Sequence, residues 1–577
     1  MKLMLFYDFE VFAHDWLVVI FDTAKRNETV IINDVDALEA FHTENKREIW
    51  AGFNSRHYDQ WILKAILCGF DPKKVNDYII VRQQAGWKFS TLFRNIPLNN
   101  YDVMSNIDRG LKSFEGFMGN NIKESSVPFD VDRKLTQKEI DETVQYCRHD
   151  VEQTIEVFLK KEANDEPFAA HMGLVKLACG NKPLDLSLIS KTKPQLSAII
   201  LNATPNDYDD EFEIDFPPTM RIEKYTAVLD WYDDPANRCY DRDGKKNQLD
   251  IMVAGVPHQF GYGGIHGALT QYHGKGYFVN MDVASLYPSL MIQYGLGSRS
   301  MKDPAKYEEI YNQRMQYKRE GNPLQASLKL VLNSTYGVMK DKNNALFDPL
   351  QANRVCIYGQ LLLLDLMERL EPHCQIIQSN TDGVLIKLNR YEDFELIDDI
   401  CFEWEQRTTL TLEFEEFTEV FQKDVNNYII VAADGTFKSK GAYVKKLSPL
   451  DYDLPILNHA LVNYMVKGIP LETTILECDD LKEFQLVTKI SGKYTHILHG
   501  NKPIKEKCIR VFASNDNRDE GVKKVHARTG RPAKLPNSPE SCFIWNDDVN
   551  GAKVPAKLNK QWYLDMATKR LKDFGVI

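Results

Sequence analysis

Apolar runs and the residues that interrupt them divide this chain into recognisable elements. Tyr277-Phe278-Val279 is a short run of β-formers, so residues 276–293 open on a buried strand. The strand ends in Asp282. The backbone carbonyl of Val283 lies close enough to add a second oxygen for a hard cation. Pro288 in Ser285-Leu286-Tyr287-Pro288-Ser289 breaks the strand, and Leu290-Met291-Ile292 begins a new element. Met4 to Phe12 is a second strand, whose period-2 geometry puts Asp8 and Glu10 on one face, away from Phe9. Ile49 to Asn54 is strand-like and is followed by Ser55 to Asp59. The helical pattern Trp61, Ile62, Ala65, Ile66 comes next. A helix beginning near Leu135 carries a capping box, Thr136 with Glu139, and places Tyr146 and Asp150 on one face.

Further along, residues 304–320 form a helix with Arg314 and Lys318 one turn apart. After the Gly321-Asn322-Pro323 break, a second helix puts Lys329, Asn333 and Tyr336 on one face. Cys374 to Ser379 and Val384 to Leu388 flank a tight turn, Asn380-Thr381-Asp382-Gly383, as a hairpin with Asp382 at its tip. A later hairpin turns at Gly435 and carries Lys440, with Tyr443 beyond it. Helical segments at 455–468 and 561–574 close the chain. Glycines around Tyr262, including Gly263 and Gly264, permit close backbone approach to a phosphodiester, and Tyr262 could stack or hydrogen-bond there.

Each feature has a bland counterpart. An Asp at a strand end is commonly a cap, alternating acids mark a solvated edge, and a helical lysine usually faces water. What outweighs these is recurrence: carboxylates reach strand or helix ends in two separate parts of the chain. Two like charges held close are costly without a cation between them.

Composition refines the picture. At 577 residues the chain accommodates several domains. No run of 18 apolar residues exists, and the N-terminus lacks a leader pattern. A membrane partner is therefore not expected, and the expected location is cytoplasmic, that of the host if the source is viral. The ten cysteines show no CxxC pair, as reduced thiols would. Net charge is −11, yet from Asn501 to Ile577 there are 16 Lys and Arg against 9 Asp and Glu. An acidic body with a basic C-terminal arm suits an enzyme that handles phosphates.

Several of these segments are similar to the motifs of family B DNA polymerases. Asp8-Phe9-Glu10, Asn54 to Asp59 and Tyr146-x-x-x-Asp150 resemble the three motifs of the family's 3′–5′ proofreading exonuclease. The resemblance implies that Asp8, Glu10, Asp59 and Asp150 hold two divalent cations. It also implies that Tyr146 orients the attacking water and that Asn54 touches the single-stranded 3′ end. KLVLNSTYG resembles the fingers motif, which implies triphosphate contact by Lys329 and a nascent base pair lined by Asn333 and Tyr336. Arg314 and Lys318 resemble the partner phosphate-binding pair. SLYPS resembles the motif whose Tyr287 rejects a ribose 2′-OH. The glycine loop Tyr262-Gly263-Gly264 resembles a template-gripping loop, and Lys440 and Tyr443 resemble the primer-terminus motif with slightly shifted spacing. The usual Asp-Thr-Asp-Ser turn is here Asn380-Thr381-Asp382-Gly383. The metal-binding pair is thus Asp282 with Asp382, and one nearby charge is missing.

The expectation is a multidomain α/β and α+β chain: an RNase H-like exonuclease followed by a right-hand polymerase. The exonuclease would span 1–185, the palm 186–300 and 341–447, the fingers 301–340, and a thumb with the C-terminal region 448–577. The implied activity is DNA-directed DNA synthesis from dNTPs on primer-template DNA, in compact phage or plasmid replication. It would use two Mg²⁺ per active site, with Mn²⁺ as a substitute. Only 47 positions separate Asp282 from Lys329 and 53 separate Lys329 from Asp382. That is little room for the insertions of protein-primed relatives, so a terminal-protein partner is not expected. A pure nuclease would leave KLVLNSTYG idle, and a non-catalytic nucleic-acid binder would leave both carboxylate sets idle.

Overall fold

The structure, a computed structural model, describes residues 4–104, 109–240, 244–245 and 247–577. The chain divides into two units. The first comprises 1–192, 447–456 and 478–563. The second comprises 193–446, 457–477 and 564–577.

The first unit opens with strands β1 (Met4–Val11), β2 (Trp16–Asp22), β3 (Asn27–Ile32), β4 (Ile49–Gly52) and β5 (Asn99–Asp102), in the order β3-β2-β1-β4-β5. The first three form an antiparallel meander, and β1, β4 and β5 run parallel. Parallel neighbours need crossovers, and helix Asp59–Leu67 with its short followers fills the stretch between β4 and β5. Tyr7, Phe9, Val18, Trp50, Ile62 and Leu63 form the core on one side. Helix Gln137–Asp165, started by the Thr136–Glu139 capping box, packs along β1 and β2.

The second unit is built on one sheet of nine strands: β6 (Gln248–Val253), β7 (Val256–Gly261), β8 (His266–Ala268), β9 (Tyr272–Val283), β10 (Gln375–Ser379), β11 (Gly383–Leu388), β12 (Leu412–Asp424), β13 (Asn427–Val431) and β14 (Phe437–Lys440). Their order is β14-β13-β12-β9-β11-β10-β8-β7-β6. The strand expected around Val279 lies near the centre and is longer than its apolar run, because its polar first half pairs with β12. Pro288 sits inside helix Leu286–Gln293, in its first turn, where no intrahelical N–H is needed. Helix Pro349–Leu370 is buried along most of its length. Helices Ala305–Arg319 and Gln325–Val338 pack together. Two helices, Leu286–Gln293 and Ala305–Arg319, lie in the interval between Asp282 and Lys329.

Residues 448–577, expected to hold a thumb and the C-terminal region, divide between the two units. Residues 478–563 fold with the first unit as two small sheets, from strands β15 (Leu486–Lys489), β16 (Tyr494–His499), β17 (Lys502–Ile504), β18 (Cys508–Ala513), β19 (Val522–His526), β20 (Pro532–Lys534) and β21 (Cys542–Ile544). The orders are β15-β18-β21 and β17-β16-β19-β20. The reason is a shared core: Val487 and Cys508 pack with Phe117 and Ile122. Among the described residues, no helix is long and apolar enough to cross a membrane.

Arg510 pins this arrangement. Fully buried, it donates to the carbonyls of Gly116, Asn120, Trp545 and Asp547 and to Gln485 Oε1, at 2.7–3.2 Å. Burial pulls its guanidinium down to about 10. Arg510→Met would orphan several buried acceptors, so the first unit should lose about 3 kcal/mol or more in urea unfolding. A midpoint unchanged from wild type would contradict this.

Candidate functional site

Two clusters of carboxylates stand in the two units. In the first, β1 carries Asp8 and Glu10 into a cavity of about 540 Å³ that Asn54, Asp59 and Asp150 also line. Asp59 begins its helix, and its Oδ1 accepts the Phe9 N–H at 3.1 Å, tying the helix start to β1. Asn54 takes a left-handed conformation (φ 61°), which asparagine tolerates, and its N–H donates to Asp102 Oδ1 at 2.9 Å. Tyr146 and Asp150 come from the long helix, one turn apart.

Lys112, on helix Leu111–Met118, was not singled out in the sequence. Its Nζ lies 2.5 Å from Asp150 Oδ1, 3.1 Å from Glu115 Oε1 and 4.6 Å from the centre of the Tyr146 ring. Asp102, Glu115, His149 and Cys147 were likewise missed, since nothing local marks them. The Cys147 thiol donates to the Asp8 carbonyl and to Asp8 Oδ2. Burial holds that thiol well above its ordinary value, so it is a protonated donor here.

The electrostatics are lopsided. Burial, reinforced by neighbouring acids, pushes Asp8 and Glu10 well above the usual carboxylate range and Asp59 up to about 7. Burial also raises Asp150, against the pull of Lys112. The donors are hard carboxylate oxygens with one ammonium among them, and a divalent hard cation fits that excess of negative charge.

In the second unit, register does the positioning. Asp282 on β9 stands opposite Gly383 on β11 and Glu413 on β12. Asp382 precedes β11 in the turn, and its carbonyl accepts the Val283 N–H at 2.6 Å. Burial and then the charge of Asp382 push Asp282 up to about 6, while Asn280 Nδ2 donates to Asp282 Oδ2 at 2.8 Å. A Cβ at Gly383 would lie 1.9 Å from Asp282 Oδ1, so serine there is incompatible with this side-chain position. Asn380 is committed to the turn. Its Oδ1 accepts the N–H groups of Asp382 (3.1 Å) and Gly383 (2.9 Å), which leaves it less free to offer an oxygen to a ligand.

Around this pair, Arg314 Nη1 donates to Ser285 Oγ at 3.0 Å, while its buried Nε has no partner. Lys318 lies 3.8 Å from Glu413. Lys329 and Asn333 are exposed on their helix. Tyr336 rests its ring 4.2 Å from that of Tyr287, and its hydroxyl lies 2.6 Å from Cys356 Sγ. Lys440 is exposed at the end of β14. The Tyr443 ring lies between Lys423 (4.8 Å) and Arg570 (4.4 Å). Gly264 packs so tightly on Thr381 that a Cβ would sit 2.3 Å from its Oγ1, while Gly263 is open. Tyr262 is not available for stacking on a ligand. Its ring is buried among Phe212, Trp231 and Tyr232, and its carbonyl accepts from Lys340 Nζ.

No protein-family model and no curated protein matches the chain. Among solved structures it is similar to the family B DNA polymerase from the hyperthermophilic archaeon Pyrobaculum calidifontis, at 13% identity and a TM-score of 0.42. That similarity covers 100% of this chain and 78% of the other.

The raised carboxylates make a pH prediction for the metal-free protein. Their folded values exceed the unfolded ones, so the stability they contribute is present below about pH 4 and lost as pH rises through the folded values, about 7 for Asp59. In chelator, the melting temperature of the first unit should therefore fall between pH 5 and 8. Asp59→Asn should flatten that fall, and added Mg²⁺ should offset it in the wild type. A melting temperature that rises over this range in chelator would be the contrary result.

Proposed function

We propose that this chain is a template-directed DNA polymerase of the family B kind with a 3′–5′ proofreading exonuclease, serving phage or plasmid genome replication. The observation that carries the reading is the juxtaposition of Asp282 and Asp382 through β9–β11 pairing, with Arg314 and Lys318 on a neighbouring helix. The β3-β2-β1-β4-β5 order, antiparallel then parallel, supports an RNase H-like first unit, and its four carboxylates support the exonuclease. The nine-stranded sheet is the palm, and helices Ala305–Arg319 and Gln325–Val338 are the fingers.

Bound Mg²⁺, or Mn²⁺ in its place, would lower the pKa of the attacking hydroxyl or water and neutralise charge at the reacting phosphorus. Asp282 and Asp382, with the Val283 carbonyl, hold ions at the polymerase site. Asp8, Glu10, Asp59 and Asp150 hold them at the nuclease site. Arg314, Lys318 and Lys329 bind the triphosphate by charge-assisted bonds, and the orphaned Nε of Arg314 is a donor awaiting such an oxygen. Tyr287, braced by Tyr336, excludes a ribose 2′-OH, and Asn333 and Tyr336 line the base pair. Lys440 and Tyr443 hold the primer end, and Gly263 and Gly264 let the template backbone approach. In the nuclease, Tyr146 orients the water, Asn54 contacts the single-stranded 3′ end, and Lys112 favours the charged form of Asp150 against its burial. With two helices filling the interval from 282 to 329, the primer is an ordinary nucleic acid rather than a protein.

Asp382→Ala should reduce primer extension at least about 1,000-fold, roughly 4 kcal/mol of barrier, and leave 3′ degradation intact. Asp8→Ala with Glu10→Ala should do the reverse. Extension near the wild-type rate by purified Asp382→Ala protein would falsify the polymerase assignment. Persistent degradation by the double variant would remove the nuclease. A separate expectation concerns sugar choice: Tyr287→Ala should raise ribonucleotide incorporation by at least about tenfold relative to dNTPs, a difference of roughly 1.4 kcal/mol. Unchanged discrimination in single-nucleotide extension would clear Tyr287 of that role.

A further inference from the structure

In a protein of net charge −11, residues 493–534 contain eleven Lys and Arg against four Asp and Glu. The structure gathers them on and around the four-stranded sheet β17-β16-β19-β20 of the first unit. Three are accounted for. Arg510 is the buried pin described above, Arg518 pairs with Asp516, and Lys534 pairs with Glu540. Lys493, Lys502, Lys505, Lys507, Lys523, Lys524, Arg528 and Arg531 make no ion pair among the described residues, and all but the half-buried Lys524 are exposed. Lys523 stands directly opposite Lys534 across β19–β20, a like-charge pairing that costs stability in isolation. The same face continues to Leu498 and Pro503 with no acidic residue between them.

We propose that this sheet is a docking surface for the phosphate backbone of double-stranded DNA, read without sequence preference. Seven exposed cations without an ion pair, Lys502 and Lys523 in the strands and Lys493, Lys505, Lys507, Arg528 and Arg531 at the strand ends and turns, are complementary to a polyanion, because each phosphate they neutralise releases condensed counterions. The choice of duplex over single strand follows from the aromatic side chains. Single-strand grooves combine charge with open rings on which bases stack. The aromatic ring of β16, Tyr494, is already covered by Lys524 Nζ at 4.2 Å, with the His526 ring edge-on at 5.8 Å. What remains exposed is charge without a stacking platform, and that grips backbone. The proposal deepens the polymerase reading and rests on it for the identity of the polyanion. It gives the basic C-terminal residues a place in the unit that carries the nuclease carboxylates.

The test measures binding of the full-length protein to a blunt 30-base-pair duplex in chelator without nucleotides, so its outcome is separate from that of primer extension. The variant K493Q/K502Q/K523Q/R528Q/R531Q is compared with wild type over a salt series, with a single-stranded oligonucleotide as a second arm. The expected result is duplex affinity at least tenfold weaker, with the slope of log K against log salt shallower by about 3 to 4. Equal affinity and slope in both proteins would overturn the proposal, and so would a loss confined to the single strand. If the variant fails to fold, hydrogen exchange on the wild type decides. Protection of amides in 494–499 and 522–534 by the duplex supports the proposal, and unaltered exchange there refutes it.

Discussion

Repulsion between neighbouring carboxylates, largely buried in the first unit and half-buried to exposed in the second, is the constraint around which both sites are arranged. Asp8, Glu10, Asp59 and Asp150 crowd one cavity, and Asp282 faces Asp382. Such groups drift apart or take up protons unless rigid backbone holds them and a cation compensates them. The holding is done by hydrogen-bonded strands and helix starts. Asp59 is bonded to the backbone of β1, and the carbonyl of Asp382 is bonded to Val283. The compensation inside the chain is partial: Lys112 pairs with Asp150 and its charge also favours ionised Glu10, yet burial and the neighbouring acids keep all four acids raised.

The local rules served the sequence reading well where the determinants are local. Period-2 alternation placed Asp8 and Glu10 together, Thr136 and Glu139 cap their helix as expected, and the Asn380–Gly383 turn joins two strands. Non-local contacts were illegible. Lys112 gains its place from a partner 38 residues away, and Arg510 from carbonyls almost 400 residues away. Tyr262 shows the opposite error. Flanking glycines suggested an exposed ring, but Phe212, Trp231 and Tyr232 close over it. No spacing rule anticipates that cluster.

Gly383 is instructive for a different reason. In the sequence it is one of two departures from the resembled Asp-Thr-Asp-Ser turn. In space it is an accommodation, since the carboxylate of Asp282 occupies the volume that a Cβ would take. Asn380, the other departure, uses its side-chain oxygen to close the same turn. The two changes are coupled through one turn, so substituting either alone tests a different structure from substituting both.

The buried guanidinium of Arg510 also bears on how the chain is made. Its acceptors at Gly116 and Asn120 leave the ribosome some four hundred residues before Trp545 and Asp547 do. At translation rates of about 5–20 residues per second, the segment around helix Leu111–Met118 waits for tens of seconds without its partners. During that interval Phe117 and Ile122 lack the apolar cover that Val487 and Cys508 later supply. The first unit to be synthesised is therefore among the last to be completed, and nascent chains stalled short of Val487 leave Phe117 and Ile122 without that cover.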